Sequence, residues 1–389
     1  MKNFTYEIPT KIHFGTDALD FIGQEAKKYA DKILLTYGGG SIKKNGIYDK
    51  VISELKKENI EVFELSGIKP NPRIDSVREG IKIIKENNIE AILAVGGGST
   101  IDASKFMAAG AMVDFDPWEF ISKKKPMSPA LPLLSVLTMS ATGSEMDTSG
   151  VITNPETNEK LSSGHEDTRP KVSFLNPELT YTVSPYQTAC GSADILSHIF
   201  ESYFNQKESF FMLDRMMEGL MKTVIKYGPI AMEEPENYEA RANLMWASSW
   251  AINDFVASSS ISRWSCHPME HELSAFYDIT HGLGLAILTP RRMEYTLNEK
   301  TLDKFYEFGV NVFDIDSKKD KMEVAKEAIS KVREFLFDKL KLDDSLTKIN
   351  IGEEHFDEMS KKACGKDGVI KGFVDLKPED VKKIYKMCL

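Results

Sequence analysis

The spacing of apolar residues changes character once along the chain. Up to about residue 184, short aliphatic runs alternate with amphipathic stretches. "KILLTY" (32–37), "EVFEL" (61–65), "AILAV" (91–95) and "LPLLSVLT" (131–138) read as strands. Between them, 47–60, 75–88 and 100–112 repeat apolar residues at the interval of a helix face. Parallel strands need a crossover that returns the chain to the same end of the sheet, so this alternation predicts βαβ units and a parallel sheet. The stretch 150–163 reads as a hairpin turning at Asn154-Pro155, and 171–183 as a further extended piece. Beyond Ser184-Pro185 the pattern becomes helical. Ser184 suits an N-cap and Pro185 the first helical position. Segments 192–204, 210–227, 237–255, 268–276, 322–339 and 379–387 all carry helical spacing. The expected architecture is an α/β domain over 1–184 followed by an all-α domain over 185–389. Ligands of such sheets bind outside the C-terminal ends of the strands.

Composition narrows the class. The chain has 389 residues, of which 42% are hydrophobic, enough for two sizeable cores. No apolar run reaches the roughly 18 residues of a membrane span. The opening "MKNFTYEIPTKIHF" lacks the apolar core of a signal peptide, so a cytoplasmic location is expected. Cys190, Cys266, Cys364 and Cys388 are scattered without C-x-x-C spacing, which argues against a disulfide framework or a cysteine zinc site. The net charge of −10 argues against a nucleic-acid partner, and the short basic run at 122–126 reads as a solvated loop.

The histidines are unevenly placed. "ADILSHIFESYF" sets Asp194 and His198 four residues apart, on one helix face. "WSCHPMEHELSAF" does the same for His267 and His271, and "DITHGLGLAI" adds His281 beside two glycines, read as a loop. His13, His165 and His355 lie apart and read as ordinary structural residues. Imidazoles with one carboxylate suit Fe²⁺ or Zn²⁺ and leave net positive charge on the metal, which can polarise a carbonyl or stabilise an alkoxide. A rival reading takes "HPMEH" as the H-x-x-E-H pattern of a peptidase with Glu270 as base. It leaves Asp194, His198 and His281 without a role.

Two of the strands end in Gly-Gly-Gly-Ser, within "LLTYGGGSIKKNG" (34–46) and "LAVGGGSTIDASK" (93–105). Neither is the dinucleotide fingerprint, since Ile101 stands where the third glycine would be, and neither is a P-loop. A glycine turn leading from strand to helix still presents N–H groups to an anion and lets a pyrophosphate approach the main chain. Two such turns, with a metal cluster downstream, favour a bound nucleotide.

Together with "PNPR", "TMSATGSEMD", "NPETNEKL", "YEARANLMWASS" and "MEY", these segments resemble the iron-containing (group III) alcohol dehydrogenases, especially their bacterial butanol dehydrogenase branch. The resemblance covers nearly the whole chain. It implies an α/β dinucleotide-binding domain related to that of dehydroquinate synthase, followed by an all-helical metal-binding domain. It implies Asp194, His198, His267 and His281 as metal ligands and His271 as a non-ligand histidine near the nicotinamide. Gly97, Gly98 and Ser99 would hold the pyrophosphate, with Asp102 supporting that loop or reaching the nicotinamide end. Asn71 would line the nucleotide cleft, Thr138 and Ser140 would lie beside the diphosphate and nicotinamide ribose, and Lys160 and Leu179 would line the cofactor. Lys160 taken alone reads as a solvated hairpin lysine.

The chain departs from the family at two places. NAD-using relatives carry an acid after the second strand, where this chain has Gly38, Gly39, Gly40 and Ser41 followed by Lys43 and Lys44. No carboxylate there repels a 2′-phosphate, so NADP(H) is expected over NAD(H). Asp147 and Ser149 also differ from residues some relatives place near the nicotinamide. The expected partner is a small alcohol or aldehyde such as butanol or butanal, in a homo-oligomer by analogy with dimeric relatives. Met146, Val151, Trp250 and Phe255 are candidates for an apolar pocket. A lyase of the dehydroquinate synthase kind would need several cations there, and Arg263 is the one the sequence places nearby. A metal-dependent nucleotide sensor is the non-enzymatic alternative.

Overall fold

The computed structural model describes residues 3–127, 129–204, 210–258 and 264–389, which form two compact units. One is Glu7–Val183; the other is Ser184–Leu389 with the stretch up to Tyr6.

The first unit holds a six-stranded parallel sheet. Its strands are β1 (Lys11–Phe14), β2 (Lys32–Tyr37), β3 (Glu61–Leu65), β4 (Ala91–Gly96), β5 (Leu133–Leu137) and β8 (Val172–Leu175). Their spatial order is β1-β8-β5-β4-β2-β3. β4 is buried at every position, as a central parallel strand covered on both faces must be. β6 (Ser149–Asn154) and β7 (Glu159–Gly164) form a separate antiparallel hairpin, which turns through residues 155–158. The sequence reading runs the extended piece of 171–183 too far. β8 stops at Leu175, and Asn176 Oδ1 accepts from Glu178 N to start a 3₁₀ turn over Pro177–Thr180.

The second unit is helical. Its helices include Pro185–Tyr203, Phe211–Glu233, Tyr238–Ile252, Cys266–Tyr277 and His281–Thr296. Ser184 Oγ accepts from Gln187 N and Pro185 occupies the first turn of its helix, as their residue types predict. The sequence reading misplaces His281. It is the first residue of a helix rather than part of a loop. That helix is buried from Gly282 to Met293 without interruption and contains Pro290, so it shows neither an amphipathic period nor an unbroken helical sequence. Helices Leu302–Phe313 and Phe356–Ala363 were also missed. Among the described residues no helix is long and apolar enough to cross a membrane.

Candidate active site

In the helical unit, three imidazoles surround one carboxylate oxygen. His198 Nε2, His281 Nε2 and His267 Nε2 lie 3.5, 3.6 and 3.8 Å from Asp194 Oδ1. Asp194 and His198 occupy successive turns of the Pro185–Tyr203 helix, and His267 opens the Cys266–Tyr277 helix. His281 reaches the group because its helix crosses very close to the first. A Cβ at Gly282 would stand 2.0 Å from the Cys190 carbonyl oxygen, one turn before Asp194. The two glycines after His281 therefore serve helix contact. Gly284 makes room for Glu270 in the same way, since a Cβ there would stand 2.8 Å from Glu270 Cγ.

These atoms suit a cation. Ligands roughly 2.0–2.2 Å from a tetrahedral metal stand about 3.3–3.6 Å from one another. Asp194, His267 and His281 each offer a donor atom within 4.8 Å of the other two. Asp194 Oδ1 and His267 Nε2 are buried and make no hydrogen bond, a costly arrangement unless something binds both. Burial pushes the Asp194 carboxyl up, but its attraction to the His198, His281 and His267 imidazoles around it outweighs burial and holds it well below the usual carboxylate range. Burial lowers His198 to about 4, leaving a neutral imidazole able to ligate. Burial also works to lower His267, yet Asp194 and Glu201 raise it, the response of a site whose carboxylates favour positive charge.

Two carboxylates stand behind these imidazoles: Glu201, which the sequence reading passed over, and Glu270, which it weighed only as a peptidase base. Glu201 lies one turn beyond His198, on the same face as Asp194, at spacing that could have revealed it. Its Oε1 lies 3.2 Å from His267 Nδ1, and its carboxylate accepts from Ser265 N, Ser265 Oγ and His267 N at 2.9, 3.0 and 3.0 Å. It thus caps the Cys266–Tyr277 helix from outside it. Burial raises the Glu201 pKa, but His267 and the Arg292 charge hold it down at about 2. Glu270 contacts His281 Nδ1 through one oxygen and Ser274 Oγ through the other. This corrects the peptidase reading, because the glutamate of "HPMEH" is fully buried and committed to a histidine and a serine. His271 stays beside the cluster, its ring centre 5.8 Å from that of His281 and 6.3 Å from that of His267. Arg292, absent from the sequence reading, supplies a buried cation that serves Glu201 and Ser265. Arg263 lies outside the described residues.

The sheet unit carries the glycine turns. They follow β2 and β4, adjacent parallel strands with Tyr37 opposite Val95. The chain leaves β2 toward β3 on one side and β4 toward β5 on the other, so the turns flank the point where strand order reverses. Open α/β sheets bind ligands at that point. The two turns use glycine differently. Gly40 has a φ of +92°, and neither it nor Gly39 has any atom within 4 Å of where a Cβ would be. Gly97 is extended and brings no capping side chain to the Gly98–Gly110 helix. Gly98 is needed for packing, since a Cβ there would meet Thr142 Oγ1 at 2.3 Å.

Asp102, one turn into that helix, is buried and accepts from Ser144 Oγ at 2.6 Å and Val151 N at 2.9 Å. Burial pushes its pKa up to about 6, against the opposing Lys105 charge. Asp147 forms a buried ion pair with Lys105, which also donates to the Ser149 carbonyl at 2.6 Å. The departures noted at 147 and 149 therefore anchor a segment of chain. Lys160 is 5% exposed, which corrects its reading as a solvated lysine; it faces Thr153 across the hairpin. Thr138 N donates to the Gly96 carbonyl, which ties the start of the Thr138–Ser140 stretch to the second glycine turn. Asn71 sits on the turn before the Ile74–Asn87 helix with a φ of +48°, and Leu179 packs on the core beneath β2. Met146 and Val151 belong to this unit, whereas Trp250 and Phe255 pack with Tyr6 in the helical one.

The expectation that no carboxylate stands near the first turn needs correction. β3 pairs with β2 and brings Glu64 beside Leu35, where its carboxylate accepts from Tyr37 Oη at 2.7 Å and lies 3.4 Å from Lys43 Nζ. Lys43 thus already has an acid. The remaining histidines have structural roles: His13 stacks on Phe21 and Phe174, His165 accepts from Asp167 N, and His355 packs on Phe276.

A cluster of donor atoms that could hold a cation, in a chain that also carries a parallel sheet with glycine turns at its switch point, is the combination expected of a metal- and nucleotide-dependent enzyme. Family models for the iron-containing alcohol dehydrogenases match residues 9–177 and 188–389, and the chain belongs to that family. It is 52% identical over 387 residues to the NADH-dependent butanol dehydrogenase A of Clostridium acetobutylicum, covering 99% of each chain. It is 38% identical over 293 residues, 75% of each chain, to the NADPH-dependent aldehyde reductase YqhD of Escherichia coli. The crystal structure of NADH-dependent butanol dehydrogenase A from Thermotoga maritima superposes with a TM-score of 0.95 at 39% identity, covering 100% of this chain and 99% of that one.

Proposed function

We propose that this protein interconverts primary alcohols and aldehydes, butanol and butanal among them, by hydride transfer with a nicotinamide dinucleotide. The observation that carries the reading is the convergence of three imidazole Nε2 atoms on Asp194 Oδ1. In the oxidising direction the alcohol loses a hydride to the nicotinamide and a proton to the protein; reduction reverses both. A divalent cation at this site supplies positive charge to the substrate oxygen, and the dinucleotide supplies or accepts the hydride. Asp194, His198, His267 and His281 would hold the cation, with Fe²⁺ favoured by the family and Zn²⁺ compatible with the donors.

The rest falls to the chain's own groups. The turns after β2 and β4 hold the dinucleotide, with Gly97, Gly98 and Ser99 toward the pyrophosphate and Gly38, Gly39, Gly40 and Ser41 toward the adenosine ribose. Asp102 keeps residues 144–151 against the helix that starts at the second turn. His271, half-buried beside the ligands, moves the alcohol proton to solvent and back. His271→Ala is expected to lower kcat by about 10²-fold with metal content unchanged. Elemental analysis and steady-state rates on the same preparation check this; unchanged turnover excludes the relay.

Charge decides between the two cofactors. The first turn has no acid of its own and offers N–H groups and the Ser41 hydroxyl, which supports NADP(H). Glu64 weakens that attraction by pairing with Lys43, and relatives in this family bear both NADH- and NADPH-dependent names. An exposed charge pair is worth about 1 kcal/mol or less. The kcat/KM for NADPH is therefore expected to exceed that for NADH by no more than about fivefold. Titration of both cofactors with butanal measures the ratio, and a preference for NADH contradicts the NADP(H) reading.

A further inference from the structure

The three imidazoles around Asp194 are not held alike. His267 Nδ1 faces Glu201, and His281 Nδ1 faces Glu270. Both carboxylates are buried, at 4% and 0% exposure. His198 Nδ1 is buried too, but among the described residues it has no hydrogen-bond partner. Apart from Asp194 on its Nε2 side, its ring is held by packing, stacked on His267 at 5.0 Å and edge-on to Trp264 at 5.4 Å.

A carboxylate behind an imidazole fixes which nitrogen carries the proton. It turns the other lone pair toward the metal and makes that nitrogen a stronger donor. Stacking fixes neither the tautomer nor the rotation about the ring axis. Resting on the metal reading above, we infer that Glu201 and Glu270 are positioning residues that lock His267 and His281, and that His198 is the ligand left free to yield. Asp194, His267 and His281 then form the permanent seat of the cation.

The unequal holding answers a chemical need. A site with four protein ligands must open or gain a position before a substrate oxygen can be bound, and catalytic zinc sites usually keep only three. A weakly held His198 supplies that freedom without loosening the other ligands. Its place on the Pro185–Tyr203 helix does not conflict with this, because rotation about its own side-chain bonds moves Nε2 without moving the helix.

The two carboxylates are not equally testable. Glu201 also caps a helix through Ser265 and His267, so its replacement endangers folding. Glu270 contacts the His281 and Ser274 side chains, and Glu270→Gln keeps its shape while removing its charge. The full-length protein is stripped of metal, and Zn²⁺ affinity is measured by chelator competition. E270Q is expected to bind Zn²⁺ about 10- to 100-fold more weakly than the wild type. The visible spectrum of its Co²⁺ form should shift while the melting temperature of the metal-free protein stays the same. His198→Gln should weaken Zn²⁺ binding less than His267→Gln does. Wild-type affinity in E270Q, or equal losses in the two histidine variants, would overturn the inference while leaving the metal site itself intact. A wild-type protein that takes up no metal would overturn the metal reading and this inference with it.

Discussion

Replacing His267 by alanine is expected to abolish metal retention and to lower kcat/KM for butanal reduction by at least about 10³-fold, because the polarising charge supplies several kcal/mol of barrier reduction. His267 is the proposed ligand that two buried carboxylates flank, Asp194 at 3.8 Å from Nε2 and Glu201 at 3.2 Å from Nδ1. Removing it takes away a donor and frees Glu201 from the ring it orients. The fold should survive, since Glu201 still accepts from Ser265 and from the His267 main chain. Elemental analysis, steady-state kinetics and a thermal melt on one preparation separate these effects. A His267→Ala protein that keeps its metal and more than about a tenth of its activity contradicts the assignment.

The largest stability effect is expected at Asp147. Lys105 is fully buried inside the Gly98–Gly110 helix, and its ammonium is satisfied by the Asp147 carboxylate and the Ser149 carbonyl. Deleting one partner of a buried pair leaves an uncompensated charge, which costs about 3–5 kcal/mol. For a unit of this size Asp147→Ala should lower the melting temperature by roughly 6–20 °C. Replacing both partners with apolar residues, as in the double variant Lys105→Met and Asp147→Leu, should recover most of that loss. A single variant that melts with the wild type would show that the pair contributes nothing.

The alternating texture of the first half identified the parallel sheet, because buried strands and amphipathic helices have different periods. β1 was not singled out, being a short edge strand with polar Lys11 and His13 among its four residues. Helix His281–Thr296 was hidden for the opposite reason, since a helix buried on all sides has no polar stripe to betray it. The four proposed ligands were legible because i,i+4 pairs of histidine and aspartate are conspicuous. Their supporting carboxylates are harder to read: Glu201 keeps the helical spacing of Asp194 and His198 but looks like a surface glutamate, and Glu270 fits the base of an H-x-x-E-H pattern until the fold sets it on His281 and Ser274. Gly282 and Gly284 suggested a loop, whereas their missing side chains let two helices touch. Glu64 was invisible as a neighbour of the first glycine turn because only strand pairing brings β3 beside β2.

The most direct test strips the purified full-length protein of metal under anaerobic conditions. Fe²⁺ or Zn²⁺ is then restored, and consumption of reduced nicotinamide with butanal is followed by the loss of its near-ultraviolet absorbance. The metal-free protein should be inactive, and activity should rise in proportion to bound metal until the Asp194–His267–His281 site is filled once per chain. Equal activity with and without metal, or none in the fully loaded protein with either cofactor, would contradict the account.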